Sequence, residues 1–459
     1  MLKRLGKVLP LIKKYLPITL IVLLAIFLRL YQLQTRTLFD ADQEEIAFKA
    51  KEILSGNPVL LGPKTSLGGF SIGPGFSYVW AVFSLILKEN PIAGAYASVF
   101  LGILFIVGIY IVGKNIFSNK VGIVFSLVAT LSGSLIAWDQ SPWAPSLFYV
   151  SELVIFYGVY LSKKNKIGLP LVVLGLALAF QSHFAVFLLI LPIITYFLIY
   201  KPLFDKKTLL LSLLIGFVGV LPILLYDTLH DFVNFNRLMS VFSLGVSGVA
   251  PSKLKLIYTL VQNSVNVLAT SMPVFLRYII FALLIMVVLF GVVKDKKYRS
   301  VNVLSLLFIF VPLIEFMFYK SNFSEYYLMT VVVPFIFVLG YVFSKIKSNV
   351  LMITILMLFA IPNLFSFYNF KKSVSLGAKE KVVQKIIEME GTSGYGVSLS
   401  TEPGYNFGYS YLFDYYKTTP NIPPKSGEEK IFTIVVPPGY EGIEPLYAVD
   451  GVGLRWEGI

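Results

Sequence analysis

Gly73-Pro74-Gly75-Phe76-Ser77-Tyr78-Val79-Trp80-Ala81-Val82-Phe83-Ser84-Leu85-Ile86-Leu87 is apolar enough to enter a bilayer and short for crossing one. A hydrocarbon core of ~30 Å asks for about 20 apolar residues in a helix. What this segment does sets the side of every loop after it. Clear apolar spans lie at about 16–33, 92–113, 120–138, 145–161, 167–182, 184–200, 208–226, 274–293, 301–319, 325–343 and 349–367. Basic residues in short loops mark the cytoplasmic side. Lys3, Arg4, Lys7, Lys13 and Lys14 place the N-terminus there. If 73–87 lies on or in the outer leaflet, the clusters Lys114/Lys120, Lys163/Lys164/Lys166, Lys201/Lys206/Lys207, Lys294/Lys296/Lys297/Arg299 and Lys345/Lys347 all fall inside. If it crosses, all of them flip outside. The expected topology therefore has about eleven spans and an external C-terminus.

Composition agrees with that class. The chain is 56% hydrophobic and 14% charged, and its net charge of +14 is accounted for by the loop lysines rather than by a nucleic-acid partner. With no cysteine, disulfides, thiolate metal sites and cysteine nucleophiles are excluded. The first span has no small-residue cleavage site and reads as an uncleaved anchor. Residues 1–367 are expected to form an α-helical polytopic membrane domain. Residues 368–459, which lack long apolar runs, are expected to form a small soluble α/β domain. In it we place helices near 376–389 and 406–417 and strands near 395–400 and 430–436.

The resulting first external loop, 34–91, opens with four acids in six residues: Asp40, Asp42, Glu44 and Glu45. Carboxylates beside a bilayer are costly unless they have work to do or water to sit in. Asp42 and Glu45 have capping-box spacing ahead of an amphipathic helix over 43–54. The plain reading of Asp42 is a helix cap. The functional one is that Asp42 or Asp40 is a general base, since partial burial and like-charged neighbours raise a carboxyl pKa. A Gly/Pro-rich stretch, 62–69, then leads to a second surface helix after Gly73, whose Phe76, Tyr78 and Trp80 suit an interface.

A second external loop, Trp138 to Ser146, holds Asp139 between two tryptophans and two prolines. It is either an ordinary interfacial turn or a third acid facing the same cavity. His183 sits in a tight turn between two spans, where a structural role is the commoner one. Few basic residues are expected outside; among them Lys64, Arg277 and Lys320 suit binding of a phosphate, and Arg29 is expected to snorkel to the same surface. Each of the three is individually well explained as a solvated or headgroup-contacting residue. No zinc-ligand pattern is present. An acid-bound Mg²⁺ or Mn²⁺ is left open as a cofactor.

The order of these features resembles the GT-C class of integral-membrane glycosyltransferases, such as protein O-mannosyltransferases and the lipid A aminoarabinose transferase. The resemblance is carried by LRLYQL closing the first span, by FDADQEEIAFKAKEILSGNPVLLGPKTSLGGFSIGPGFSYVWA, and by GKNIFSNKVG. It continues with WDQSPWAPSL, QSHF and SEYYLMTVVVP, so it covers the membrane region. The class implies a first-loop Asp as catalytic base, by position Asp42 and then Asp40, with Asp139 helping to position acceptor or sugar. It also implies a polyprenyl-phosphate sugar donor, a lipid, glycan or protein acceptor, inversion at the anomeric carbon, and a site at the outer face of a prokaryotic cell membrane. Lys64, Arg277, Lys320, His183, Tyr326 and Tyr327 are the expected substrate or phosphate contacts. Gln140 and Ala144 stand where the class often has Arg and Asn, and Glu325 where it has His or Arg. The rival reading is a transporter or lipid flippase, which predicts inverted repeats and mid-span charges. No such symmetry is visible, and Glu152 and Glu315 are the exceptions among otherwise apolar spans. A non-enzymatic scaffold is the third reading.

Overall fold

In the computed structural model, residues 2–65, 69–244, 251–268, 270, 272–319, 323–370, 372–391 and 394–457 are described, with backbone alone for 2–14 and 242–244. A helix or a bent helix pair lies at each of the eleven expected spans. Six helices are long and apolar enough to cross a membrane: Ala93–Ile116, Lys206–Leu229, Val274–Lys294, Arg299–Met317, Glu325–Lys345 and Asn349–Asn369. Asn119–Leu131 and Gly133–Asp139 make a pair bent by 65°. Ser132 between them is extended (φ −65°, ψ 115°) and restarts the helix by accepting from Leu135 N–H. The remaining apolar helices are shorter: Tyr15–Leu30, Ser146–Ser162, Gly168–Phe180 and Phe184–Ile199. By length and apolarity alone the span count is thus six, or seven with the bent pair. Apolar faces of Lys206–Leu229 and Asn349–Asn369 point outward, with Leu210, Phe217, Leu358 and Phe365 exposed. Such faces are stable in lipid, where helices already satisfy their own backbone groups.

The decisive segment is a helix over Gly75–Ile86, about 18 Å long at ~1.5 Å per residue. It buries Phe76, Trp80 and Ala81 and leaves Val82, Leu85 and Ile86 exposed. This one-sided burial and short length match a helix lying at the membrane surface. Its entry is set by a close approach. A Cβ on Gly73 would fall 2.2 Å from the Gln181 side chain, which accepts from Gly75 N–H (3.1 Å) and donates to Gly219 O (2.6 Å).

The first-loop helix begins at Ala41 and runs to Leu54. Asp40, not Asp42, is its N-cap: Asp40 N–H donates to Gln43 Oε1 (3.0 Å) in a capping box. Helix formation starting two residues earlier than expected moves Asp42 inside the first turn and leaves its carboxylate free of the capping role.

The C-terminal domain carries a four-stranded sheet, β1 (Gly396–Thr401), β2 (Ile431–Val436), β3 (Tyr447–Val449) and β4 (Val452–Glu457), in the order β1-β2-β4-β3. β1 and β2 are parallel, joined through the helix Tyr409–Tyr415; the other pairs are antiparallel. Val397, Phe432, Ile434 and Leu454 are buried with the helix Leu376–Glu390 in one core. This domain docks on the first loop: Leu376 N–H donates to Thr37 O (2.8 Å), and Lys51 pairs with Asp414 (2.5 Å).

Candidate active site

The four acids of the run Asp40–Glu45 meet four different fates. Lys379 lies on the buried face of the helix Leu376–Glu390 and is fully buried. Its Nζ donates to Asp40 Oδ1 (2.6 Å), Phe39 O (2.8 Å) and Phe407 O (2.8 Å), which satisfies all three protons of the ammonium. Asp40 is therefore a paired cap. Glu44 accepts from Tyr411 N–H (2.9 Å) and so receives the C-terminal domain. Glu45 pairs with Lys49 (2.7 Å), whose Nζ also donates to Gly62 O (2.6 Å) and ties the helix to the Gly/Pro loop.

Asp42 pairs with no cation among the described residues. Its Oδ2 accepts from the Trp143 indole N–H (3.1 Å). Trp143 in turn stacks on Trp138 (5.5 Å between centroids) and meets Tyr326 edge-on (4.7 Å). Asp42 is exposed at a cavity wall, with enough protein around it to desolvate the carboxylate in part. That desolvation raises its pKa above the ordinary carboxylate value; the indole bond opposes the rise, and the charges of Glu45 and Asp40 add to it.

Two cavities share Asp42 and Trp143 as a common wall. One, of about 520 Å³, lies between Asp40, Asp42, Trp138, Ser141 and the C-terminal domain's Gly404 and Phe407. The other, of about 270 Å³, is lined by Lys64, Thr65, Ser182, His183 and Tyr326. Lys64 is exposed there and pairs with Ser71 in an isolated antiparallel bridge. His183 is buried, and its Nδ1 accepts from Ala185 N–H (3.1 Å). Burial pushes its pKa down to about 3, so the ring is neutral and its proton is on Nε2. Tyr326 packs against His183 (5.7 Å), and Tyr327 is buried behind both.

The structure thus gathers Asp42, Lys64, His183 and Tyr326 and separates Asp139 from them. Asp139 is buried and paired with Arg29 Nε (2.6 Å), whose other nitrogens donate to Ala129 O and Thr130 O. Gly102 makes room for this pair, since a Cβ there would sit 2.3 Å from the Asp139 carboxyl. Arg29 consequently does not snorkel outward; a buried acid holds it in. Gln140 Nε2 donates to Arg29 O (3.0 Å) and Tyr31 O (3.3 Å), satisfying carbonyls left open at the end of the first span. Arg277 is also turned inward, donating to Thr270 O and Met272 O of its own loop. Lys320 lies outside the described residues. Among the described residues, no group of three or more His, Cys, Asp or Glu is placed to hold a metal ion.

Trp143 and Lys379 are the residues that sequence reading did not assign to the site. A lysine on an apolar helix stripe, as at 379 between Leu376 and Val383, is the one local sign of a buried ion partner.

Comparison with known proteins follows the same lines. Residues 71–226 match the family model for dolichyl-phosphate-mannose-protein mannosyltransferase, a range that includes the second loop and His183 but not Asp42. No curated protein sequence matches the chain. Two crystal structures of ArnT from Cupriavidus metallidurans, one bound to undecaprenyl phosphate and one in the apo state, are similar in fold. Each gives a TM-score of 0.61 over 96% of this chain and 97% of that one, at 10% and 9% identity. The two comparisons bear out the resemblance to GT-C glycosyltransferases: this is an integral membrane protein with their fold.

Proposed function

We propose that this protein is a glycosyltransferase that moves a sugar from a polyprenyl-phosphate donor to an acceptor at the extracytoplasmic face, with Asp42 as general base. The observation that carries the reading is the position of Asp42, paired with no cation among the described residues, on the wall between two cavities. In this reading the smaller cavity holds the donor's phosphate. Lys64 supplies the charge and His183 a neutral Nε2–H donor, an arrangement suited to a departing phosphate. The acceptor enters through the larger cavity, beside Trp138, Ser141 and Phe407. Asp42 takes the proton from its hydroxyl or amine as that atom attacks the anomeric carbon. The C–O bond to phosphate breaks, and the configuration inverts. Asp40 and Asp139 hold the scaffold, the first through Lys379 and the second through Arg29. Fold similarity to a protein crystallised with undecaprenyl phosphate supports a lipid-phosphate donor, while the acceptor class stays open among lipid, glycan and protein.

Incubation of the protein in nanodiscs with polyprenyl-phosphate-linked sugars and a mixed acceptor pool tests this. We expect free polyprenyl phosphate and a product of opposite anomeric configuration. Retained configuration, or passage of the intact donor across the bilayer without cleavage, would overturn the reading; the latter is the flippase outcome.

A further inference from the structure

We infer that the chain has a second phosphate-binding site, remote in sequence from Lys64, at the junction of the first membrane helix and the C-terminal domain. A cavity of about 640 Å³ opens there, bounded by Leu33, Arg36, Tyr96, Phe370, Lys372 and Asp450. Three apolar helices end or begin at it: Tyr15–Leu30, Ala93–Ile116 and Asn349–Asn369. Its lining combines apolar side chains at those helix ends with two cations and one acid. That combination is the one a lipid headgroup meets at a bilayer boundary.

Arg36 is the reason to expect an anion. It is 2% exposed, and no carboxylate among the described residues pairs with it. Its Nη2 donates to Phe367 O (2.8 Å), and the guanidinium lies 4.1 Å over the Phe367 ring. Nε and Nη1 are buried with no hydrogen-bond partner among the described residues. A buried cation with open donors is costly, and a ring face offsets only part of that cost. Lys372, on the linker into the C-terminal domain, is half-buried on the same cavity wall and makes no ion pair among the described residues. Asp450 lies at the exposed rim, so the two cations outnumber the acids that line the cavity. A phosphate monoester or diester matches both the charge and the donors, and guanidinium favours it over a simple halide.

The test uses the full chain, delipidated in detergent and titrated by native mass spectrometry with phosphatidylglycerol, diacylglycerol or inorganic phosphate. Wild type should bind phosphatidylglycerol and not diacylglycerol. R36Q/K372Q should bind it about tenfold more weakly or worse, as expected for lost charge-assisted contacts. Because R36Q touches a buried position, K372Q alone is measured too. It should weaken binding, and K372R should restore it. Competition by millimolar inorganic phosphate would identify a free phosphate site; no competition would identify a lipid headgroup site. Equal binding by wild type, R36Q/K372Q and K372Q, or equal uptake of diacylglycerol, would overturn the proposal.

Discussion

The segments 34–91 and 138–146 each bring an aspartate to the same end of the molecule, and the two are used in opposite ways. Asp139 faces a buried arginine and is closed off from both cavities. Asp42 faces an indole N–H and open space. A carboxylate held by a guanidinium at 2.6 Å and sealed from both cavities cannot reach a substrate, which suits a rivet between two helices. One that is partly desolvated without a cation has a raised pKa and a proton affinity suited to chemistry. The same contrast runs inside the acidic run, where Asp40 is consumed by Lys379 while Asp42, two residues on, is not.

The contrast can be broken most severely at Asp42. Asp42→Asn should lower kcat by about 10²–10⁴-fold, the usual worth of a general base, with the melting temperature little changed. Asp139→Asn should do the reverse. It strands a buried guanidinium and should cost about 3–5 kcal/mol of stability by denaturant or thermal unfolding, with turnover per folded molecule retained. The apolar double variant Arg29→Met/Asp139→Leu should recover much of that loss. Next in size, Lys64→Gln should lower kcat by about 10²-fold, as for removal of one group that stabilises developing negative charge. Smallest is Trp143→Phe. It deletes a hydrogen bond that favours the Asp42 carboxylate, so the acid limb of the rate profile should move to higher pH, with a modest loss of rate.

Much of the fold was legible because apolar runs and lysine-bearing loops report helices directly. The helix Gly75–Ile86 and the turn at His183 also lie where their Gly/Pro signals and flanking spans put them. In the C-terminal domain, helix Leu376–Glu390 and strands β1 and β2 fall within a residue or two of expectation. β3 and β4 did not read as strands, because β3 has three residues and the two are separated by an Asp-Gly turn. In the site, Asp42, Lys64, His183 and Tyr326 were readable as candidates, while their neighbours were not. Two overlapping capping signals, Asp40-x-x-Gln43 and Asp42-x-x-Glu45, compete locally, and only tertiary docking by Lys379 selects the first. The partners of Asp40 and Asp139 lie 339 and 110 residues away, a separation at which neither periodicity nor spacing carries information. Arg277 looked free because its acceptors are backbone carbonyls, which side-chain chemistry does not advertise.

The central claim is that proton transfer runs through Asp42, and the pH dependence of kcat/KM in wild type and Asp42→Asn tests it most directly. His183 is held neutral down to about pH 3 and contributes no limb near neutrality. Because burial raises the Asp42 pKa, activity should be present above that raised value and fall as pH drops through it, with the midpoint above the ordinary Asp pKa of about 3.9. Asp42→Asn should keep a small residual rate in which this limb is absent. An unchanged acid limb in Asp42→Asn would contradict the account and assign the base elsewhere.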